Sequence, residues 1–175
     1  MKLIKMKGWV LILLFLSSPI MAAGNNSRPY IELDYVRNTV DIYGTEFKPK
    51  MTKLKGGYYF WDKIALELQY YDSGNDSVGG RDLEIEKMIG YFLRLDSDVQ
   101  NRVRIYVLAG QIETRLVYTG VTSDSIDTQD IAFAIGAEEK LQAYQNAYIT
   151  IEYGRLMSDE VINIKELSLG IRFDF

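Results

Sequence analysis

Glu84 and Glu86 stand two residues apart in a stretch of alternating character, so a strand would set both carboxylates on one face, where such a pair can do general acid–base work. Few other residues of this chain can do chemistry. It has no histidine and no cysteine, so Ser-His, Asp-His and Cys-His arrangements are all missing, as are disulfides and thiolates. The acidic stretches 72–82 and 124–130 gather carboxylates, yet neither has the ligand spacing of a calcium-binding loop, and no phosphate-cradling glycine motif occurs. The balance points to a protein that is not an enzyme and uses neither cofactor nor metal. The Glu84/Glu86 pair then reads as part of a charge network rather than as a catalytic dyad.

Eight stretches have the two-residue period of strands with one oily and one wet face, and none has a convincing helical period. In residues 30–42, Ile31, Leu33 and Tyr35 oppose Glu32 and Asp34. In 47–59, Leu54 and Tyr58 oppose Lys53, Lys55 and Tyr59, with Pro49 and Gly56-Gly57 weakening the strand. In 64–71, Ile64, Leu66, Leu68 and Tyr70 oppose Ala65, Glu67, Gln69 and Tyr71. In 83–95, Leu83, Ile85, Ile89, Tyr91 and Leu93 oppose Glu84, Glu86, Met88, Gly90 and Arg94. Residues 103–117 set Val103, Ile105 and Val107 against Arg104, Tyr106 and Leu108, and the phase blurs after Gln111, which predicts a bulge there. Residues 131–139, 147–156 and 162–175 complete the set.

Most of these strands are longer than those usual in soluble sheets and match the length a tilted strand needs to cross a bilayer. Connections predict turns at 60–63, 96–102 and 140–146 on one side and loops at 43–46, 72–82, 118–130 and 157–161 on the other. The wet face carries Glu32, Asp34, Lys53, Lys55, Glu67, Glu84, Glu86, Arg94, Arg104, Glu138, Glu152, Arg172 and Asp174. A soluble barrel would have that face outside, whereas a barrel with lipid against its oily face would hold the charges inside as a network. Glycines recur on the wet face at 90, 110, 136, 154 and 170, leaving room for Tyr106, Tyr148 and Arg172 in an interior barely wide enough for side chains. No continuous pore is expected. Tyr30, Tyr35, Tyr58, Tyr70, Tyr91 and Tyr153 fall on the oily face, several near strand ends, where they would form interfacial girdles.

At the amino terminus, three lysines, an apolar run over residues 9–16 and the small residues Ala22-Ala23-Gly24 have the layout of a secretory signal peptide, so residues 1–24 are expected to be cleaved and 25–175 to form one domain. The mature chain then has 17 Lys+Arg against 24 Asp+Glu, a net charge of −7 that suits nucleic acid poorly.

The last eight residues run Ser168-Leu169-Gly170-Ile171-Arg172-Phe173-Asp174-Phe175. This ending resembles the sorting signal of bacterial outer-membrane β-barrel proteins, whose final strand places a polar residue, a glycine and two aromatics where Ser168, Gly170, Phe173 and Phe175 stand. With the pattern of the remaining strands, the mature chain resembles the small outer-membrane barrels of the OmpA-like and OmpX-like kind. The resemblance implies an eight-stranded antiparallel up-and-down transmembrane β-barrel, assembled by the barrel-assembly machinery and bathed in outer-membrane lipid and lipopolysaccharide. Members of that group are structural proteins, adhesins or receptors, and some carry small hydrophobic molecules. The function expected here is structural or surface interaction through the loops 72–82 and 118–130, which would meet any extracellular ligand; the alternative is a barrel that binds or transports a small hydrophobic ligand. A secreted soluble barrel is the third reading. Lys48 and Lys50, in phase with the oily face near the outer end of their strand, are candidate contacts to lipopolysaccharide phosphates.

Overall fold

The computed structural model describes residues 28–119, 123–159 and 161–175, the side chains of Ser123 and Asp124 excepted; the leader expected over residues 1–24 lies outside them. Ten strands form one antiparallel sheet: β1 (Arg28–Ile42), β2 (Thr45–Phe47), β3 (Lys50–Trp61), β4 (Ile64–Tyr71), β5 (Gly74–Val78), β6 (Arg81–Asp96), β7 (Val103–Thr119), β8 (Ser123–Lys140), β9 (Ala147–Ser158) and β10 (Ile162–Asp174). β2 prolongs β3 along β1 past a break at Lys48-Pro49, where proline cannot donate to the ladder. β5 likewise prolongs β4 along β6. The ten segments therefore make eight staves. β1 pairs with β10 without interruption from Tyr30↔Asp174 to Ile42↔Ile162, which closes the sheet and leaves the barrel no open seam.

The end at which β1 begins and β10 finishes is banded by outward apolar groups. Ile31, Leu33 and Tyr35 on β1, Leu66, Leu68 and Tyr70 on β4, Ile105 and Val107 on β7 and Leu167, Leu169 and Ile171 on β10 are all exposed there. Toward the other end the pattern inverts without any change in backbone alternation. On β7, Arg104 and Tyr106 are followed on the inward face by Leu108, Ile112 and Leu116, while the outward face passes from Ile105 and Val107 to Gln111, Glu113 and Arg115. Above the belt the barrel is thus built like a soluble one, oily inside and polar outside. Val36, Val40, Ile42, Phe47, Met51, Leu83, Ile85, Ile112, Leu116, Ile162 and Ile164 pack there as one buried cluster. Strands that project past a lipid-facing belt mark the outer side of a membrane barrel.

This inversion corrects the bulge expected after Gln111. β7 pairs with β8 in continuous register from Val103↔Glu139 to Thr119↔Ser123, and what blurs is polarity, not phase. A bulge occurs instead between Ile85 and Lys87, where β6 slips against β7. It turns Leu83 and Ile85 inward and leaves Glu84 and Glu86 outward and exposed. Both glutamates leave the lumen set on that account. Tyr30 is corrected in the opposite sense: it shares the phase of Glu32 and is buried inside. Long outer loops are also absent from the described residues. The stretch 72–82 holds β5 and a two-residue turn at Gly79-Gly80, both with positive φ (60° and 77°), and most of 118–130 is strand.

Candidate functional site

Inward positions of the belt half bring together charges from all eight staves, and they sort into two layers. In the layer nearer the middle of the barrel, β3 contributes Lys53 and Lys55, two residues apart and therefore on one face. Lys53 Nζ donates to Glu152 Oε1 at 2.8 Å and to Glu166, and lies 3.3 Å from Asp34 Oδ2. Lys55 Nζ donates to Glu152 Oε2 at 2.8 Å and to Glu32 Oε1 at 2.9 Å, and lies 3.0 Å from Asp34 Oδ2. Thr150 donates to Glu32 at 2.7 Å and Tyr106 to Glu152 at 2.9 Å. Two ammonium groups thus hold four carboxylates drawn from β1, β9 and β10.

The layer nearer the start of β1 and the end of β10 is built from guanidinium groups. Glu138 of β8 accepts from Arg94 (2.5 Å), Arg172 (2.6 Å) and Arg104. Arg94 also donates to Asp96 at 2.8 Å, Arg104 lies 3.1 Å from Asp96, and Arg172 reaches Asp174 at 2.7 Å. Planar guanidiniums can serve two carboxylates at once and still stack on rings. Arg94 sits 3.7 Å from the centroid of Tyr106, and Arg172 4.2 Å from that of Tyr30. Tyr30 donates to Glu67 and Tyr59 to Asp96.

Ions so deeply buried would be destabilising unless matched, and here every cation faces carboxylates while the carboxylates remain in excess. Across both layers Lys53, Lys55, Arg94, Arg104 and Arg172 face Glu32, Asp34, Glu67, Asp96, Glu138, Glu152, Glu166 and Asp174, a net of −3 if all are ionised. Space is found at glycines. A Cβ on Gly136 would stand 2.2 Å from Tyr106 Cζ, and one on Gly57 would stand 2.1 Å from Tyr30 Cζ. Above the lysines the apolar cluster packs across the interior.

Of the charges expected in the lumen, Glu32, Asp34, Lys53, Lys55, Glu67, Arg94, Arg104, Glu138, Glu152, Arg172 and Asp174 point into it, and Glu84 and Glu86 do not. Asp96 and Glu166 are buried inside as well, unexpected from the sequence although each lies two residues from an inward residue of the alternation, Arg94 and Ser168. Ser168 faces inward within 3.3 Å of Lys53, Gly170 abuts Asp34, and Phe173 and Phe175 are exposed. Lys48 and Lys50 are exposed on the outer wall, with Lys48 2.8 Å from Glu46.

Residues 9–175 match the model of the outer membrane protein beta-barrel domain family. Among solved structures, Neisserial surface protein A is similar at a TM-score of 0.68 and 17% identity, covering 84% of this chain and 97% of its own. Ail, the attachment invasion locus protein of Yersinia pestis, is similar at a TM-score of 0.65 and 17% identity, covering 86% and 99%. The N-terminal barrel of Pseudomonas aeruginosa OprF follows at 0.61 and 14%, covering 86% and 98%. At such identities the likeness is one of fold. No curated protein matches the chain.

Proposed function

This chain belongs to the outer membrane protein beta-barrel family and resides in the bacterial outer membrane, and we propose that it works there as a closed, non-enzymatic barrel with a structural or surface-interaction role. The observation that carries the reading is the filled interior: two ion-paired layers span the belt half, and Phe47, Met51, Leu83 and Ile112, each no more than 4% exposed, pack over them with their neighbours. A general pore would need water where those side chains lie. Transport of a hydrophobic molecule would need a contiguous apolar passage, and the apolar groups that could line one are packed against each other. Contact with an external partner falls instead to the projecting hairpins β5–β6 and β7–β8, whose outward residues are mostly polar.

Full-length protein inserted into planar bilayers in concentrated KCl tests this. The expected trace is flat, and reproducible conductance steps would refute the closed barrel. We also read Ser168, Gly170, Phe173 and Phe175 as a signal engaged by the barrel-assembly machinery, supported by the outward exposure of both aromatics. If so, Phe175→Ala raises the unassembled fraction seen on unheated SDS gels; unchanged assembly would count against the signal.

A further inference from the structure

The outer wall of β9, β10, β1 and β3 carries a patch of cations that the sealed lumen does not use. Arg37 and Lys50 are directly opposite each other across β1 and β3, and Lys165 and Arg155 are directly opposite across β10 and β9. Lys165 pairs with Thr39, two residues along β1 from Arg37, so the two pairs are neighbours. Lys48 lies two residues beyond Lys50. All five are exposed. Side chains opposed across antiparallel strands have Cβ atoms roughly 5 Å apart, and four staves span roughly 15 Å, so these charges crowd one small area.

Like charges placed directly opposite each other are destabilising, and two such pairs stand side by side here. Among the described residues Arg37, Lys50, Arg155 and Lys165 form no ion pair, and the one carboxylate that reaches Lys165 electrostatically, Glu46, is itself paired with Lys48 at 2.8 Å. The cost is one that a bound anion would relieve. The level of the patch says which anion. Tyr35, Leu167 and Tyr153, the outward residues two positions below Arg37, Lys165 and Arg155, belong to the apolar belt, so the cations sit at the upper edge of the lipid-facing surface. The opposite wall differs: outward from β6 to β8 it carries Glu84, Glu86, Glu113 and Asp127 beside Lys87 and Arg115, and Arg115 is already paired with Asp127 at 2.6 Å.

We propose that Arg37, Lys50, Arg155 and Lys165, with Lys48 at the rim, bind the phosphates of lipopolysaccharide in the outer leaflet, so that one wall of the barrel holds a defined lipid and the other does not. An anionic headgroup layer attracts cations placed at its own depth, and guanidinium and ammonium groups both match phosphate oxygens. The inference adds to the closed-barrel reading and does not depend on it, because a pore-forming barrel could carry the same patch.

Full-length protein in phosphatidylcholine nanodiscs, doped with lipid A bearing both phosphates or with the same lipid stripped of them, provides the test, read as lipid A retained per protein. The Arg37→Gln, Lys50→Gln, Arg155→Gln, Lys165→Gln variant should retain bisphosphorylated lipid A about tenfold more weakly, whereas Lys87→Gln, Arg115→Gln on the opposite wall should stay within about twofold. Equal retention by the two variants, indifference to the phosphates, or displacement of the lipid by soluble polyphosphate would overturn the proposal. An unheated gel shift reports whether each variant is folded. Should the fourfold variant fail to fold, Arg37→Gln, Lys165→Gln takes its place, with a loss of about threefold expected and no loss counting against the patch.

Discussion

Lys53 on β3 and Glu152 on β9, 99 residues apart in sequence, meet across the lumen at 2.8 Å, and the second oxygen of the same carboxylate takes Lys55 at the same distance. One glutamate therefore ties two lysines of one stave to the far side of the barrel. Because carboxylates outnumber ammonium groups in this layer, its members are unequal in what their loss would do.

Removing Lys53 strands Glu166 and leaves Lys55 alone to hold Glu32, Asp34 and Glu152. Lys53→Met should destabilise the folded barrel by about 3–5 kcal/mol, the range for breaking a buried pair from one side. Glu166→Gln removes an anion from a layer with anions to spare and should cost clearly less. Urea midpoints of the two variants, followed by heat-dependent gel mobility, check the order; equal midpoints would contradict the unequal matching of charge.

Gly136 leaves room for the Tyr106 ring, so Gly136→Ala should destabilise by about 1–3 kcal/mol through overpacking. In a Tyr106→Leu background most of that penalty should vanish. A double-mutant cycle measures the coupling, and additive effects would mean that the glycine serves something other than the ring.

The corrected placement of Glu84 and Glu86 separates two substitutions that the alternation alone would treat alike. Leu169, 57% exposed within the belt, faces lipid, and Leu169→Arg should cost about 2–4 kcal/mol. Glu84→Ala and Glu86→Ala, outward above the belt, should stay within about 0.5 kcal/mol. Large destabilisation by either glutamate variant would return that carboxylate to the lumen.

On the projecting hairpin, a hydrogen bond from Arg115 holds the Asp127 carboxyl below its ordinary value of 3.8. A depressed carboxyl stabilises the fold above its unfolded pKa and loses that contribution as the pH falls through the lower folded value. The pair is fully exposed and screened by salt, so the effect is local. An NMR titration should find the Asp127 midpoint lowered and moved back up in Arg115→Gln; no movement would show that Arg115 is not the cause.

Alternation made the eight staves and most of the lumen charges legible because a barrel with lipid outside and ions inside writes its period directly into the chain. Ile31 and Leu33 against Glu32 and Asp34 need no tertiary information. The period says nothing of where a bulge falls. Glu84 and Glu86 look inward when β6 is read as one unbroken strand, and only the three-residue step from Ile85 to Met88 on the inner face hints at the slip. On β7 the opposite happened: polarity reversed while the backbone kept its phase, since Ile112 and Leu116 lie above the belt, where water replaces lipid outside. Partners across the lumen, such as Lys53 and Glu152, depend on the tilt and closure of the barrel, which no local pattern carries.

The exchange of faces along β7 is the feature on which the closed barrel rests, and a cysteine scan tests it most directly. Single cysteines in a cysteine-free chain, placed from position 105 to 116 and spin-labelled in a bilayer, can be probed with oxygen for lipid and a water-soluble nickel chelate for solvent. Labels at 105, 107 and 109 should answer to oxygen, those at 113 and 115 to nickel, and those at 112 and 116 to neither. Nickel access at 112 and 116 would mean that water passes through the upper interior, and the sealed barrel would be wrong.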